Sequence, residues 1–513
     1  MFTRIAAILL WLVSVSSEAG INHGLNTTFD PNSWGGAANV SCLTAAIPGT
    51  CATGYNATCN GVADDTAALT AFQTARIALN PALAVLYVPP GSKCVIPATS
   101  FVYTTNDAAI ANTVVWAYGA TFITSGGMRV GGSSFSEDST HEAFIVSANA
   151  GDTSVTLITA GDAAIFSIGD WIAVTGLELE ACCGFPPNFQ RFEFHQITSI
   201  TGTTTKVVSF TDSKLKNTYL STWPSIQSDG SMGNNGPAKI FKMVSAWNIN
   251  LTIYGMTVTA TTYAGSQDSI VGRIVNVYNS TFLTKNTSPS VGGTITINGS
   301  SVNGMEVDKV LDTLIMNYDT VRSNLTFQSP VPVNFYGNNL TILGSTSTPW
   351  NSTFNNVKIS NQMSAGPSGF YGVGNSISIS NSIIPTSKLN NNSVLAADMT
   401  FTSGTLSVAH ASSAAFRAAL RWGIPGHKYA FADSDGSLDA SPSATFSISA
   451  VRDDGATIFF DMSGCSWGSC SGALPMTSCG SNTPCPEYVA YPAATITQTN
   501  SGPADLTQFA APP

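Results

Sequence analysis

Glu306, Asp308, Lys309 and Asp312 form the densest group of charges in a chain in which only 10% of residues are charged. Glu306 and Asp308 stand two apart, so in an extended segment both side chains point to the same side. Paired carboxylates can act as acid and base in glycoside cleavage, or hold a cation that neutralises an acidic sugar. Lys309 or Arg322 then has the chemistry to remove the proton beside a sugar carboxylate in an elimination. Asp312, Lys358, Asp268 and Arg273 are candidate substrate contacts of the same kind. The competing reading of all eight is a set of solvated turn residues between strands.

Three further groups carry weaker chemistry. Arg191-Phe192-Glu193-Phe194-His195 alternates, with the aromatics expected inward and a Glu/His pair expected outward, as on the solvent face of a strand. Asp433-Ser434-Asp435-Gly436-Ser437-Leu438-Asp439 has the acidic spacing of a calcium loop without the closing Glu of an EF-hand. Ca2+ is therefore the one candidate cofactor, and a metal-free turn is the alternative. Trp223, Tyr263, Tyr278 and Trp350 are aromatics that can stack on sugars or pack between strands.

The elements that must position these residues repeat. From about Ile240 to Ile384, apolar anchors fall at Val258, Phe282, Val302, Val321, Leu340, Val357 and Ile383, at intervals near twenty residues. Two positions before them stand Met256, Ser280, Ser300, Asp319, Asn338, Asn355 and Asn381. Such a period with small or amide residues at a fixed turn is what a solenoid needs. Asp319 is read as a member of that ladder rather than as a catalyst. Counting one past each anchor puts Arg322 and Lys358 in one outer column, two coils or about 10 Å apart.

The entrance to the repeat is Asn60-Gly61-Val62-Ala63-Asp64-Asp65-Thr66. Asp64 or Asp65 can cap a helix over about Thr66 to Leu79, in which Leu69, Phe72, Ala75 and Leu79 make one apolar face. A short apolar run, Leu83 to Val88, then ends at Pro89-Pro90-Gly91. This order of helix, strand and Pro-Pro-Gly resembles the N-terminal signature of the pectate-lyase-like superfamily of right-handed parallel β-helices. That resemblance implies an all-β solenoid with the helix capping its open end, and a polysaccharide as the class of ligand. Short strands between 151 and 216 resemble the small β-barrel inserted in some members. The Asn-x-Asp, Asp-Asp and His-Gly set of the polygalacturonase branch is not found in the repeat.

The expected divisions are a signal peptide at 1–19, the cap and first rungs at 20–150, the inserted barrel at 151–216, rungs at 217–399, and a β-rich, Cys-rich region at 400–513. Arg4, the apolar run Ile5 to Val15 and Ser17-Glu18-Ala19 have the layout of a secretory leader. No later stretch is long and apolar enough to be a membrane helix. Export makes disulfides the expected state of the ten cysteines, with the pairing left open and zinc as the alternative. A net charge of −10 argues against nucleic acid as a partner. Eleven Asn-x-Ser/Thr triplets are either glycan acceptors or turn residues of the coil. The expected function is that of a secreted polysaccharide lyase or glycoside hydrolase. A non-catalytic, tailspike-like adhesin that binds polysaccharide is the alternative, and the oligomeric state stays open.

Overall fold

The computed structural model describes residues between 28 and 499 with breaks, the longest at 104–111, 176–191, 366–375, 410–427, 433–444 and 473–487. Residues 1–19, expected to be a leader, and Cys182, Cys183, Cys479, Cys485, Arg191, Asp308, Lys309, Trp223, Trp350 and residues 433–439 lie outside the described residues.

The chain winds into a parallel β-helix in which each turn contributes three strand segments. One turn runs from Thr320–Val321 on the first face, through Leu325–Phe327 on the second, to Asn334–Asn338 on the third. The next turn stacks in parallel register, with Thr341–Ile342, Thr346–Ser347 and Asn351–Asn355 lying on the same three faces. Alternation then decides what is buried: on the first face Val258, Phe282, Val302, Val321, Ile342 and Ile359 line up inward, each 2% exposed or less. On the third face Phe335 fills the interior between Phe327 and Phe354, with ring centroids 5.1 and 5.2 Å away. Gly337 leaves the room for that ring, since a Cβ there would stand 3.0 Å from Phe335 Cε1.

The register corrects the anchor series in its last members. Leu340 and Val357 are buried, yet they stand in the corner column of Ser280, Ser300 and Asp319, and the true partners of Val321 are Ile342 and Ile359. Arg322 therefore does not share a column with Lys358, which aligns with Thr341 and Thr320.

The corner from third to first face has a fixed grammar. Gly255, Asn279, Gly299, Tyr318, Asn339, Asn356 and Asn381 all take positive φ, between 49° and 66°. Only glycine adopts this conformation freely, and Asn tolerates it, so the turn chemistry explains the residue choice. The following residue points inward, and the serines there tie adjacent turns together. Ser280 Oγ accepts from the Met256 amide at 3.2 Å and Ser300 Oγ from the Ser280 amide at 3.1 Å. Asn-Ser-Thr at 279–281 and Asn-Leu-Thr at 339–341 are thus the written form of this corner, whatever modification they also carry.

The N-terminal end is closed by helix α1, Thr66–Leu79. Leu69 and Phe72 are buried in the same apolar cluster as Leu86, Val115 and Leu251. Asp64 Oδ1 accepts from the Thr66 amide at 2.9 Å and so caps the helix. Asp65 is turned inward, 3% exposed, where its carboxylate accepts from the amides of Thr58, Cys59 and Val95. Disulfides join Cys42 to Cys51, Cys59 to Cys94 and Cys465 to Cys470, and every described cysteine is paired.

Between Glu137 and Met243 the chain leaves the coil and forms antiparallel sheets with their own apolar core, a wider excursion than the expected 151–216. The coil is continuous across it, because Asn112–Trp116 pairs directly with Asn250–Tyr254. Beyond the rungs, Thr445–Asp453 and Thr457–Ser463 make a hairpin within a seven-stranded antiparallel sheet. Thr495–Thr499 then returns to the coil beside Ser376–Ser380. No helix among the described residues is long and apolar enough to cross a membrane.

Candidate functional site

The coil scatters the charged candidates over its three sides. Glu306 is half-buried on the second face, beside Thr326 of the next turn. Arg322 is exposed at the end of a first-face strand, where its Nε donates to Ser301 Oγ at 3.1 Å. The two flank the same bend of the coil in adjacent turns. Lys358 is half-buried on the first face, and Asp312 lies in the strand Val310–Asn317 with its side chain outside the description.

Asp268 is sealed inside the coil, and Arg273 is half-buried against the antiparallel unit. Asp268 is fully buried in the inward column of Thr287 and Met305, where it accepts from the Met128 amide at 2.7 Å and from the Thr284 hydroxyl. Burial raises its pKa to about 6, against the lowering effect of those two donors. Arg273 lies at a bend under the antiparallel unit, its guanidinium 5.2 Å from the Trp171 ring and bonded to Asn250 Oδ1 at 3.3 Å. Desolvation lowers its pKa, in keeping with a packing role.

The Glu193/His195 pair corrects the expected phase of its strand. Both side chains are buried, at 2% and 1% exposure, inside the antiparallel unit. His195 Nε2 is 3.2 Å from Glu193 Oε2, Tyr219 donates to Glu193 Oε1 at 2.9 Å, and the His195 ring stacks on Phe210 at 4.1 Å. The arrangement joins a strand to its neighbours in a sealed interior. Cys59, Asp65 and Cys94 also converge, but the two sulfurs are bonded to each other and offer no thiolate to a metal.

The outer side of the third face has a different character. Its columns read Thr252, Asn276, Thr296, Ile315, Tyr336, Thr353 and Ser378, then Tyr254, Tyr278, Asn298, Asn317, Asn338, Asn355 and Ser380. No Asp, Glu, Lys or Arg occurs in either column. At the N-terminal end the second column is aromatic: Trp116, Tyr254 and Tyr278 follow one another at 5.1 Å, and the Tyr254 hydroxyl is pushed up to about 12 by burial and by the neighbouring Tyr278 and Tyr118. Farther along it becomes an amide ladder, with Asn338 Nδ2 donating to Asn317 Oδ1 at 2.9 Å and Ser380 Oγ to Asn355 Oδ1 at 3.1 Å. Repeated at the rung spacing of about 4.8 Å, these groups make a lattice of neutral donors and acceptors.

Two tyrosines rise from this lattice, Tyr318 at 68% exposure and Tyr336 at 42%. Sequence reasoning missed both and favoured Tyr263, which is exposed at 57%, and Tyr278, which is half-buried in the aromatic stack. The signal was present at Tyr318, which occupies a position held by Gly or Asn in the other turns.

No protein-family model matches this sequence, and no curated protein matches it. Among solved structures the chain is similar to the tailspike protein gp49 from Pseudomonas phage LKA1, at 11% identity and TM-score 0.27, covering 80% of this chain and 91% of that one. A second similarity is to the Gp54 tailspike of Acinetobacter baumannii bacteriophage AP22, determined in complex with A. baumannii capsular saccharide, at 9% identity and TM-score 0.22, covering 78% of this chain and 91% of that one.

Proposed function

We propose that this chain is an extracellular β-helix protein that holds a polysaccharide along its flank. The observation that carries the reading is the third face: an uncharged lattice of Asn, Thr, Ser and Tyr, repeated at about the length of a sugar unit. Sugar hydroxyls donate and accept at once, and side-chain amides answer both needs without the desolvation cost of a charge. The disulfides of the N-terminal cap and of the C-terminal region fit an oxidising compartment.

Cleavage is the second reading, and the observation in its favour is that Glu306 and Arg322 both lie outward around one bend in adjacent turns. Glu306 would serve as acid or base and Arg322 as the group facing an acidic sugar, in a lyase or a glycoside hydrolase. Incubation of the protein with neutral and uronate-containing polysaccharides separates the cases. Retention on a polysaccharide column without products supports recognition alone. New ultraviolet absorbance from an unsaturated uronate indicates elimination, and reducing ends without it indicate hydrolysis. Loss of either product in Glu306→Gln or Arg322→Ala assigns the bend to catalysis. A protein that is neither retained by nor active on any member of the panel sinks both readings.

A further inference from the structure

We infer that Tyr318 and Tyr336 form a two-platform stacking subsite for an uncharged glycan, seated on either side of the Asn317–Asn338 amide pair. The inference rests on the polysaccharide reading above and narrows it to a site and a ligand class.

The first observation is conformational. Tyr318 has φ 57° in a column otherwise made of glycine and asparagine. A bulky side chain in the left-handed region is strained, and the neighbouring turns show that the fold does not need one there. The strain keeps an aromatic ring at the surface, with the Tyr318 amide held by Asn338 O at 3.0 Å. The second observation is Tyr336 on the adjacent strand, an exposed aromatic in a column that from Thr252 to Ser378 otherwise holds Thr, Asn, Ser and one Ile. Three residues along the strand and one rung across put the two backbone positions about 11 Å apart, or roughly two sugar units.

Between them stand the half-buried Asn317 and Asn338, bonded to each other through one Nδ2–Oδ1 contact that leaves each amide one further polar atom. Aromatic rings bind the apolar faces of pyranoses while amides bind their hydroxyls, and neither requires a charge on the sugar. A third irregularity lies immediately behind: from Met256 to Val357 the corner column otherwise holds Met, Ser, Leu or Val, but here it holds the carboxylate Asp319, whose Oδ2 has no hydrogen-bond partner. Departures from a fold's local rules gather where function demands them, and this turn departs twice in consecutive residues.

The test measures binding of a neutral and a uronate-rich polysaccharide to the intact protein and to Tyr318→Asn, Tyr318→Phe and Tyr336→Ala. Tyr318→Asn installs the residue used by the neighbouring turns, so its thermal midpoint should rise while its affinity for the neutral polymer falls about three- to tenfold. Tyr318→Phe should retain most of the binding, and Tyr336→Ala should lose as much as Tyr318→Asn at an unchanged midpoint. Wild-type binding that all three variants preserve, or binding confined to the uronate polymer, overturns the subsite and leaves polysaccharide recognition standing. A wild-type protein that binds neither polymer overturns both.

Discussion

The coil and the antiparallel unit looped out of it handle buried polarity in opposite ways. In the coil, each turn offers the next the same groups, so neutral side chains are satisfied along the axis: Ser280 to Ser300, Asn317 to Asn338. The antiparallel unit has no repeat to draw on. It closes its polar groups by pairing charges between segments, Lys239 with Glu142 at 2.7 Å and Lys242 with Asp170 at 3.0 Å, and by the Glu193–His195 contact within one strand. Periodicity thus leaves the two outward columns of the third face without charge, which is the property that suits them to a neutral ligand.

Two substitutions should break this contrast at its strongest points. Phe335→Ala opens a cavity in the coil and should cost about 3–5 kcal/mol, read as a fall in denaturation midpoint. Glu193→Ala leaves His195 and Tyr219 without their shared acceptor inside the antiparallel unit and should cost about 3 kcal/mol or more. If the two regions unfold separately, each substitution will lower only its own region's transition and leave the other in place. A single merged transition in both would mean that the regions are energetically one.

Asp319, like Asp268, is a buried carboxyl that breaks the neutral rule of the coil, and pH exposes it. Burial raises its pKa to about 7, with the Ser300 amide at 2.7 Å pulling the other way. The folded value lies above the unfolded one, so folding retains a proton and the stabilisation is complete below about pH 4. It is lost as pH rises from there through about 7. Asp319→Asn should flatten this part of the profile, because an amide carries no charge to bury. Parallel profiles for the two proteins would show that the carboxyl is ionised throughout.

Smaller effects sharpen the comparison further. Asn338→Ala removes one rung of the amide ladder and should cost about 1 kcal/mol. Lys242→Ala, which removes a half-exposed ion pair, should change stability by less than about 1 kcal/mol and less still at high salt.

Much of the fold was legible because it follows local rules. Helix α1 occupies Thr66–Leu79 as its spacing predicts, and the twenty-residue period is that of the coil. The misreadings have a common cause, since periodicity gives the interval but not the phase. Leu340 looks like a strand anchor in the sequence because the corner column also faces inward, and an apolar residue there gives the same signal. The same ambiguity put Glu193 and His195 on the wrong side of their strand. The sequence makes Asp268 a candidate substrate contact, since nothing in its neighbours announces the amide and hydroxyl that enclose it, which come from Met128 and Thr284. The exposed tyrosines went unread for the converse reason: an aromatic in a β-rich chain suggests core until the register shows which way it faces.

The direct pairing of Asn112–Trp116 with Asn250–Tyr254 also bears on how the chain reaches its native state. A solenoid can zip up from any completed turn, but this seam joins segments separated by the whole antiparallel unit. Closing so long a loop is slow and entropically unfavourable while it is unfolded. Once the unit has condensed around its own core, its ends are held near each other and the seam is a short step. Propagation of the coil past Trp116 should therefore wait for the looped-out unit, making that unit the clock for the assembly of everything downstream.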